Sequence, residues 1–162
     1  MSSDMLGKDD VVKALIEAGH SGDIYSFSRN TESAQAAAKE LDVPVQRIIK
    51  SMVFSVDRAP VLVLLPGDRK ADFASISELL GARKVRLAFP EQVVKWTGFP
   101  VGAVPPLGHS SPITVIIDDD IARKGSIYPA AGEKNNAFET SFDELLNITG
   151  GSVKRVSALE TE

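Results

Sequence analysis

Ile48-Ile49-Lys50-Ser51-Met52-Val53-Phe54-Ser55-Val56, then Asp57-Arg58-Ala59-Pro60, then Val61-Leu62-Val63-Leu64-Leu65, is the part of the chain from which an architecture can be built. The first segment reads as a strand. With period two, Ile48, Lys50, Met52, Phe54 and Val56 share one face, and Ile49, Ser51, Val53 and Ser55 the other. Asp57 to Pro60 turn the chain. The unbroken apolar run from Val61 to Leu65 suits a strand covered on both faces, and Pro66-Gly67-Asp68 ends it. Lys50 falls in phase with the more apolar side. Its ammonium must run out to water or meet an anion, because burying it unpaired costs several kcal/mol.

Upstream, residues 9 to 18 place Val12, Leu15 and Ile16 at helical spacing, with Asp9 and Asp10 at the positive end and Gly19 to stop the turn. Ile24 to Ser28 alternates like a half-buried strand. Thr31 is expected to cap an alanine-rich helix through Leu41, and Pro44 prevents that helix from running on. Downstream, Asp72 can cap a helix whose Phe73, Ile76, Leu79 and Leu80 form one stripe, with Gly81 as terminator. Lys84 to Ala88 reads as a strand, and Pro90 opens a short helix that ends before Gly98. Ile113 to Asp118 and Ser126 to Tyr128 read as further strands. Ser141-Phe142-Asp143-Glu144 is a capping box for a helix carrying Leu145, Leu146 and Ile148, broken by Gly150-Gly151 before a last strand at Val153 to Val156. Strands outnumber helices and several are joined by short turns. The expected fold is therefore one α/β domain over residues 1–162, with residues 1–8 a flexible N-terminus. Its mixed, partly antiparallel sheet is expected to curl towards a barrel, with helices around it.

One stretch fits neither period. Gly98-Phe99-Pro100-Val101-Gly102-Ala103-Val104-Pro105-Pro106-Leu107-Gly108-His109 packs three glycines and three prolines into twelve residues, which no helix interior or central strand accepts. It must be a shaped loop. Such a loop either rigidly connects two elements or brings bare backbone N–H groups close to a ligand.

The composition excludes several classes of function. A length of 162 residues fits one domain, and hydrophobic residues at 43% with charged residues at 25% match an ordinary globule. The absence of cysteine rules out disulfides, thiol nucleophiles and thiolate metal sites, and agrees with a cytoplasmic default. Neither a signal-peptide core nor a membrane-spanning apolar run of about 20 residues occurs, so no membrane partner is expected. A net charge of −4 argues against coating nucleic acid, though not against gripping the end of one. Arg47, Arg69, Lys70, Arg83, Lys84 and Arg86 make the middle of the chain its main basic region. They form an ordinary solvated face, or guide phosphates if several converge near Lys50.

Gly98-Phe99 followed by Gly102-Ala103-Val104-Pro105-Pro106 and Gly108 resembles the substrate loop of the YbaK/ProX family, free-standing relatives of the editing domain inserted in bacterial prolyl-tRNA synthetases. The family's G-x-x-x-P signature is met by Gly102 and Pro106. Other pieces follow in the family's order: Thr31 with Ala36-Ala37-Ala38, Ile49 to Phe54, Pro66-Gly67-Asp68, and Ala131-Gly132 with Asn135 and Phe138. The likeness runs from about Ile24 to Val156. It implies a YbaK-like fold and an aminoacyl-tRNA deacylase that hydrolyses the ester of a mischarged tRNA. Lys50 would be the positioning cation and Gly102 with Pro106 the working residues of the loop. Thr31, Ala103, Gly108, His109, Gly132 and Asn135 would be substrate-binding. No cofactor or metal is implied; the partners would be the 3′ end of the tRNA and an aminoacyl-tRNA synthetase, with the chain a monomer or homodimer. The cysteinyl-tRNA(Pro) deacylase branch carries two adjacent glycines and then a serine before the proline, where this chain has Gly102-Ala103 and Pro105-Pro106. A small amino acid such as alanine, serine or threonine therefore fits as well as cysteine.

The residues leave the same chemistry open by another route. With two histidines, His20 and His109, and no ligand pattern around them, a metal hydrolase lacks its donors. Asp118-Asp119-Asp120 reads as a strand end leading into a capped turn. No G-x-S-x-G elbow occurs. A backbone cradle with a positioned water remains, because fixed N–H groups stabilise the oxyanion that an attacked ester develops. His109 is either a proton carrier beside the loop or a surface residue, and Asn135 either binds substrate or holds its own turn. The rival reading is a non-catalytic module of the same fold that binds a tRNA end or a synthetase.

Overall fold

The computed structural model describes residues 5–28, 31 and 33–160. In chain order its elements are α1 (Lys8–Glu17), β1 (Tyr25–Ser26), α2 (Ala34–Leu41), β2 (Ile48–Val56), β3 (Ala59–Pro66), β4 (Arg69–Ala71), α3 (Phe73–Leu80), β5 (Val85–Leu87), α4 (Pro90–Thr97), β6 (Thr114–Asp118), β7 (Tyr128–Pro129), β8 (Asn136–Ala137), α5 (Phe142–Thr149), β9 (Ser152–Lys154) and β10 (Ser157–Leu159).

The antiparallel hairpin of β2 and β3 is the centre, registered from Ile49 opposite Pro66 to Val56 opposite Ala59. Its two-residue turn has Asp57 at φ 49° and Arg58 at φ 73°. Positive φ at both positions is the twist that a tight hairpin needs. The Asp57 carboxylate accepts the N–H groups of Lys84 at 2.7 Å and Arg83 at 3.0 Å. Those donors, Lys84 first, hold its carboxyl below the usual range.

The main sheet runs β5-β2-β3-β6-β9, with β7 also on β2. β2 pairs antiparallel with β3 and β5, while β2–β7, β3–β6 and β6–β9 are parallel. β1 pairs with β8, and β4 with β10, in two small antiparallel sheets. The α/β class and mixed sheet are as expected. β5 and β9 end the strand order without pairing to each other among the described residues, so the sheet is open and no closed barrel forms.

Two apolar cores sandwich the hairpin. One gathers Ile49, Val53, Leu62 and Leu64 with Val11 and Leu15 of α1, Leu145 of α5, and Phe99, Val104 and Leu107 of the glycine-proline loop. The other gathers Phe54, Val56, Val61, Val63 and Leu65 with Ile76 of α3 and Val156. Alternate residues of β3 thus enter opposite cores, which is why its sequence is apolar without alternation.

Several local expectations are corrected. Ser33, not Thr31, caps α2, its hydroxyl accepting from the Ala36 N–H at 3.1 Å. α1 buries Val11 and Leu15, whereas Ile16 is exposed. Of the α3 stripe only Ile76 is buried; Leu79 and Leu80 face outward, and Phe73, though partly exposed, meets the core residue Phe54 edge to face with ring centroids 5.3 Å apart. Ser141 caps α5 at Glu144 N, but the Glu144 carboxylate accepts from Thr140 Oγ1 at 2.6 Å instead of returning to Ser141. Of the N-terminus expected to be flexible, residues 1–4 lie outside those described, and Leu6 N donates to Gly98 O at 2.8 Å.

Candidate active site

The glycine-proline loop begins where α4 ends, at a left-handed Gly98. Pro100 O accepts from Ala103 N at 3.0 Å, closing a turn with Gly102 at φ 89° in its third position. That is the geometry of a type II turn, which needs glycine there. Ala103 is fully buried, with its N–H spent on Pro100 and its carbonyl accepting from Gly132 N at 3.0 Å. Among the described residues it is the only one of residues 101 to 104 whose amide donates to a backbone or side-chain acceptor. Among the described residues the N–H groups of Val101, Gly102 and Val104 are left over, and Pro105 and Pro106 have none to offer. Val104 is 2% exposed, so its unpaired donor is of a kind that folded proteins seldom leave.

A second loop rests beside the first. Gly132 is at φ 102°, and a Cβ there would lie 2.8 Å from Val11 Cγ2, so its backbone is pressed onto α1 as only glycine allows. Thr31 donates both N–H and Oγ1 to Lys134 O, at 2.8 and 3.0 Å. Phe27 N donates to Asn135 O at 2.7 Å, and Asn135 Nδ2 returns to Phe27 O at 3.3 Å. Thr31, Ala103, Gly132 and Asn135 are therefore joined around Gly102, though Asn135 spends its side chain on its own scaffold. Sequence reasoning passed over Lys134, whose exposed side chain brings Cε within 4.0 Å of where a Gly102 Cβ would stand.

Gly108, His109 and Pro106 lie further along, bordering a cleft of about 450 Å³ with Ile148 and Thr149. His109 Nε2 is 2.7 Å from Pro105 O, and since a carbonyl only accepts, this nitrogen carries the proton. Burial pushes the imidazole below its ordinary pKa of 6.5, against a smaller opposite pull from that carbonyl. His109 is thus a neutral brace across the loop.

Lys50 stands apart from this group. Its flanking Met52 packs into the core opposite the loop, and its ammonium donates to Arg69 O and to Glu160 Oε2 at 3.3 Å. No hydrogen bond joins it to the loop among the described residues. On its free edge β2 pairs with β7 only at Ile48 and Ile49 and with β5 only from Phe54, so the backbone of Lys50 to Met52 meets no strand there. On the loop side, between Ile49 and Val53, Ser51 Oγ is buried without a partner.

Arg83, Lys84 and Arg86 do not converge on Lys50. Arg69 is held inside by Ser157 Oγ at 2.6 Å and near Asp118 Oδ2 at 3.9 Å. Arg83, Lys84 and Arg86 join Arg58, Ser55 and Asp57 around a cleft of about 630 Å³. It lies at the other end of β2, where Ser55 is about 17 Å from Lys50 at about 3.3 Å per strand residue. The three acids at the end of β6 are engaged as well: Asp118 accepts from Val156 N and Asp120 N, Asp119 meets Arg155 and Asp120 meets Lys124. Among the described residues no group of three His, Asp or Glu could hold a metal, and no helix is long and apolar enough to cross a membrane.

The model of the aminoacyl-tRNA editing domain matches residues 28–148. The uncharacterized protein YwhH of Bacillus subtilis is 31% identical over 132 residues, 81% of this chain and 83% of YwhH. A proline–tRNA ligase of Nitratidesulfovibrio vulgaris is 40% identical over 81 residues, half of this chain but only 14% of the ligase. Among solved structures, a protein proposed as a trans-editing enzyme for prolyl-tRNA synthetase superposes with a TM-score of 0.88 at 30% identity, covering 93% of this chain and 96% of that one. With the match running from before α2 into α5 and taking in both loops, the chain belongs to the aminoacyl-tRNA editing domain family.

Proposed function

We propose that the protein is a deacylase acting in trans, which hydrolyses the ester between a small, wrongly attached amino acid and a tRNA. The observation that carries this reading is the pair of unspent amides at Gly102 and Val104, in the loop whose sequence resembles the family's substrate loop. The ester carbonyl oxygen accepts from these N–H groups as it gains charge. Water adds to the carbonyl carbon, the bond to the ribose oxygen breaks, and that oxygen takes up the proton, leaving free amino acid and intact tRNA. Because no strong protein base stands beside the loop among the described residues, the vicinal ribose hydroxyl of the substrate assists the water. Pro106 holds the loop rigid. Lys50 positions the tRNA end, a phosphate replacing the Glu160 carboxylate on its ammonium. The cleft of Arg58, Arg83, Lys84 and Arg86 takes phosphates of the acceptor stem.

Editing of this kind answers a physical limit. A synthetase pocket rejects a slightly smaller side chain by only about 1–3 kcal/mol, so a second site must remove what slips through. The test is a panel of mischarged tRNAs, starting with tRNA for proline because the matched ligases are specific for it. Hydrolysis of at least one alanyl, seryl or threonyl ester is expected, with the prolyl ester spared. If no ester is cleaved faster than in buffer while uncharged tRNA still binds, the chain is a binding module instead.

A further inference from the structure

We infer that Lys134 is the cation that receives the phosphate nearest the ester, an inference that rests on the deacylase reading. Its backbone is fixed from two sides: Thr31 donates twice to its carbonyl, and the neighbouring Gly132 N–H is bound to Ala103 O in the glycine-proline loop. The side chain has no such tie. It is exposed, forms no ion pair with any described carboxylate, and lies along the open side of Gly102, with Cε 4.0 Å from the point a Cβ would occupy. Among the described residues, its two chain neighbours apart, nothing else approaches that point within the same distance. The ammonium is one bond beyond Cε, close to the turn that carries the amides assigned to the ester oxygen, while the Lys50 ammonium is engaged by Arg69 O and Glu160.

An ester seated on Gly102 brings a formal charge with it. The 5′ phosphate of the terminal nucleotide lies one ribose away from the acyl group, and a lysine on a flexible four-carbon stem can follow it as a point charge. Lys134 would thus fix the terminal nucleotide while the loop amides act on the carbonyl, and the two tasks fall to different residues of one constellation.

The experiment compares two substrates that differ in that phosphate: aminoacyl-tRNA and the corresponding 3′-O-aminoacyl-adenosine, which lacks it. Lys134→Ala should lower kcat/KM on aminoacyl-tRNA about tenfold, chiefly through KM, as expected for losing one charged hydrogen bond. The aminoacyl-adenosine rate should not change, and Lys134→Arg should restore most of the loss. Binding of uncharged tRNA should show a salt slope smaller by about one phosphate contact. The carbonyl that Thr31 uses is retained in both variants, so their melting temperatures should match the parent. An equal loss on both substrates, or no loss on either, overturns the assignment. If the parent hydrolyses neither substrate, the deacylase reading fails, and an unchanged salt slope would then overturn the role of Lys134 independently.

Discussion

Lys50 illustrates what a single residue's sequence position does and does not reveal. Period two places it on the apolar face of its strand, and there it lies, meeting a carboxylate, one of the two outcomes open to an ammonium in that position. Which core that face overlooks depends on β4 and β10, segments of three residues that the sequence does not announce. Lys50→Ala should leave the melting temperature nearly unchanged, since the exposed Glu160 can turn to water and such pairs contribute about 0–1 kcal/mol. It should nevertheless remove most deacylation; parallel losses of stability and activity would mark the lysine as structural. Gly102 was legible for the opposite reason, because a glycine amid prolines signals a turn that admits little else. A Cβ at Gly102 meets nothing closer than 4.0 Å, so substitution there costs conformation rather than space. Gly102→Val should reduce turnover by about 10²-fold or more, the scale of a lost oxyanion donor, while destabilising by about 1–3 kcal/mol through positive φ. Single-turnover hydrolysis beside thermal melting separates the two effects. His109 makes a pH prediction. Its folded pKa lies below 6.5, so the unfolded chain takes up the proton first on acidification. Stability is therefore fully present above about 6.5 and declines as pH falls from there towards the folded value. His109→Gln should flatten that part of a melting-temperature profile, ahead of the carboxylate range.

At the scale of elements, the long strands and most helix ends were readable because each has a strong local cause. Val61 to Leu65 could only be a strand between two cores, and Asp72, Pro90 and Ser141 mark helix starts by capping chemistry or fixed φ. The α2 start was misplaced by two residues because Thr31 and Ser33 are both good caps, and tertiary contact decided between them: Thr31 is drawn away to Lys134 O. Ser33→Ala should cost about 1 kcal/mol by thermal or urea denaturation, whereas Thr31→Ala should leave α2 helicity unchanged and act on the Lys134 loop. α3 was over-read. Its apolar stripe is real, but an eight-residue helix resting on a sheet edge buries only Ile76 fully, with Phe73 lying edge-on against Phe54. β1 shows itself in the alternation from Ile24 to Ser28, but β4, β8 and β10, strands of two or three residues, show no period, so the pairings of β1 with β8 and β4 with β10 are not legible in the sequence.

For the whole molecule, a net charge of −4 conceals a divided surface. The cations that could meet nucleic acid are gathered at one cleft and at single lysines, so the footprint on tRNA is small. The logarithm of affinity should fall with the logarithm of salt concentration at a slope worth about two to four phosphates. A slope as steep as that of a protein gripping a whole stem would refute this picture, and Lys84→Glu should weaken binding similarly for every tRNA. The same central hairpin that orders the architecture also bears on how fast it forms. β2 and β3 close over a two-residue turn, whereas β3–β6 and β6–β9 join distant parts of the chain, so the hairpin is the cheapest nucleus in loop-closure entropy. That nucleus carries a built-in brake, two non-glycine residues at positive φ. Arg58→Gly removes half of it without disturbing the Asp57 carboxylate. In stopped-flow refolding it should therefore lengthen the folding arm of the chevron upward while leaving the unfolding arm almost where it was.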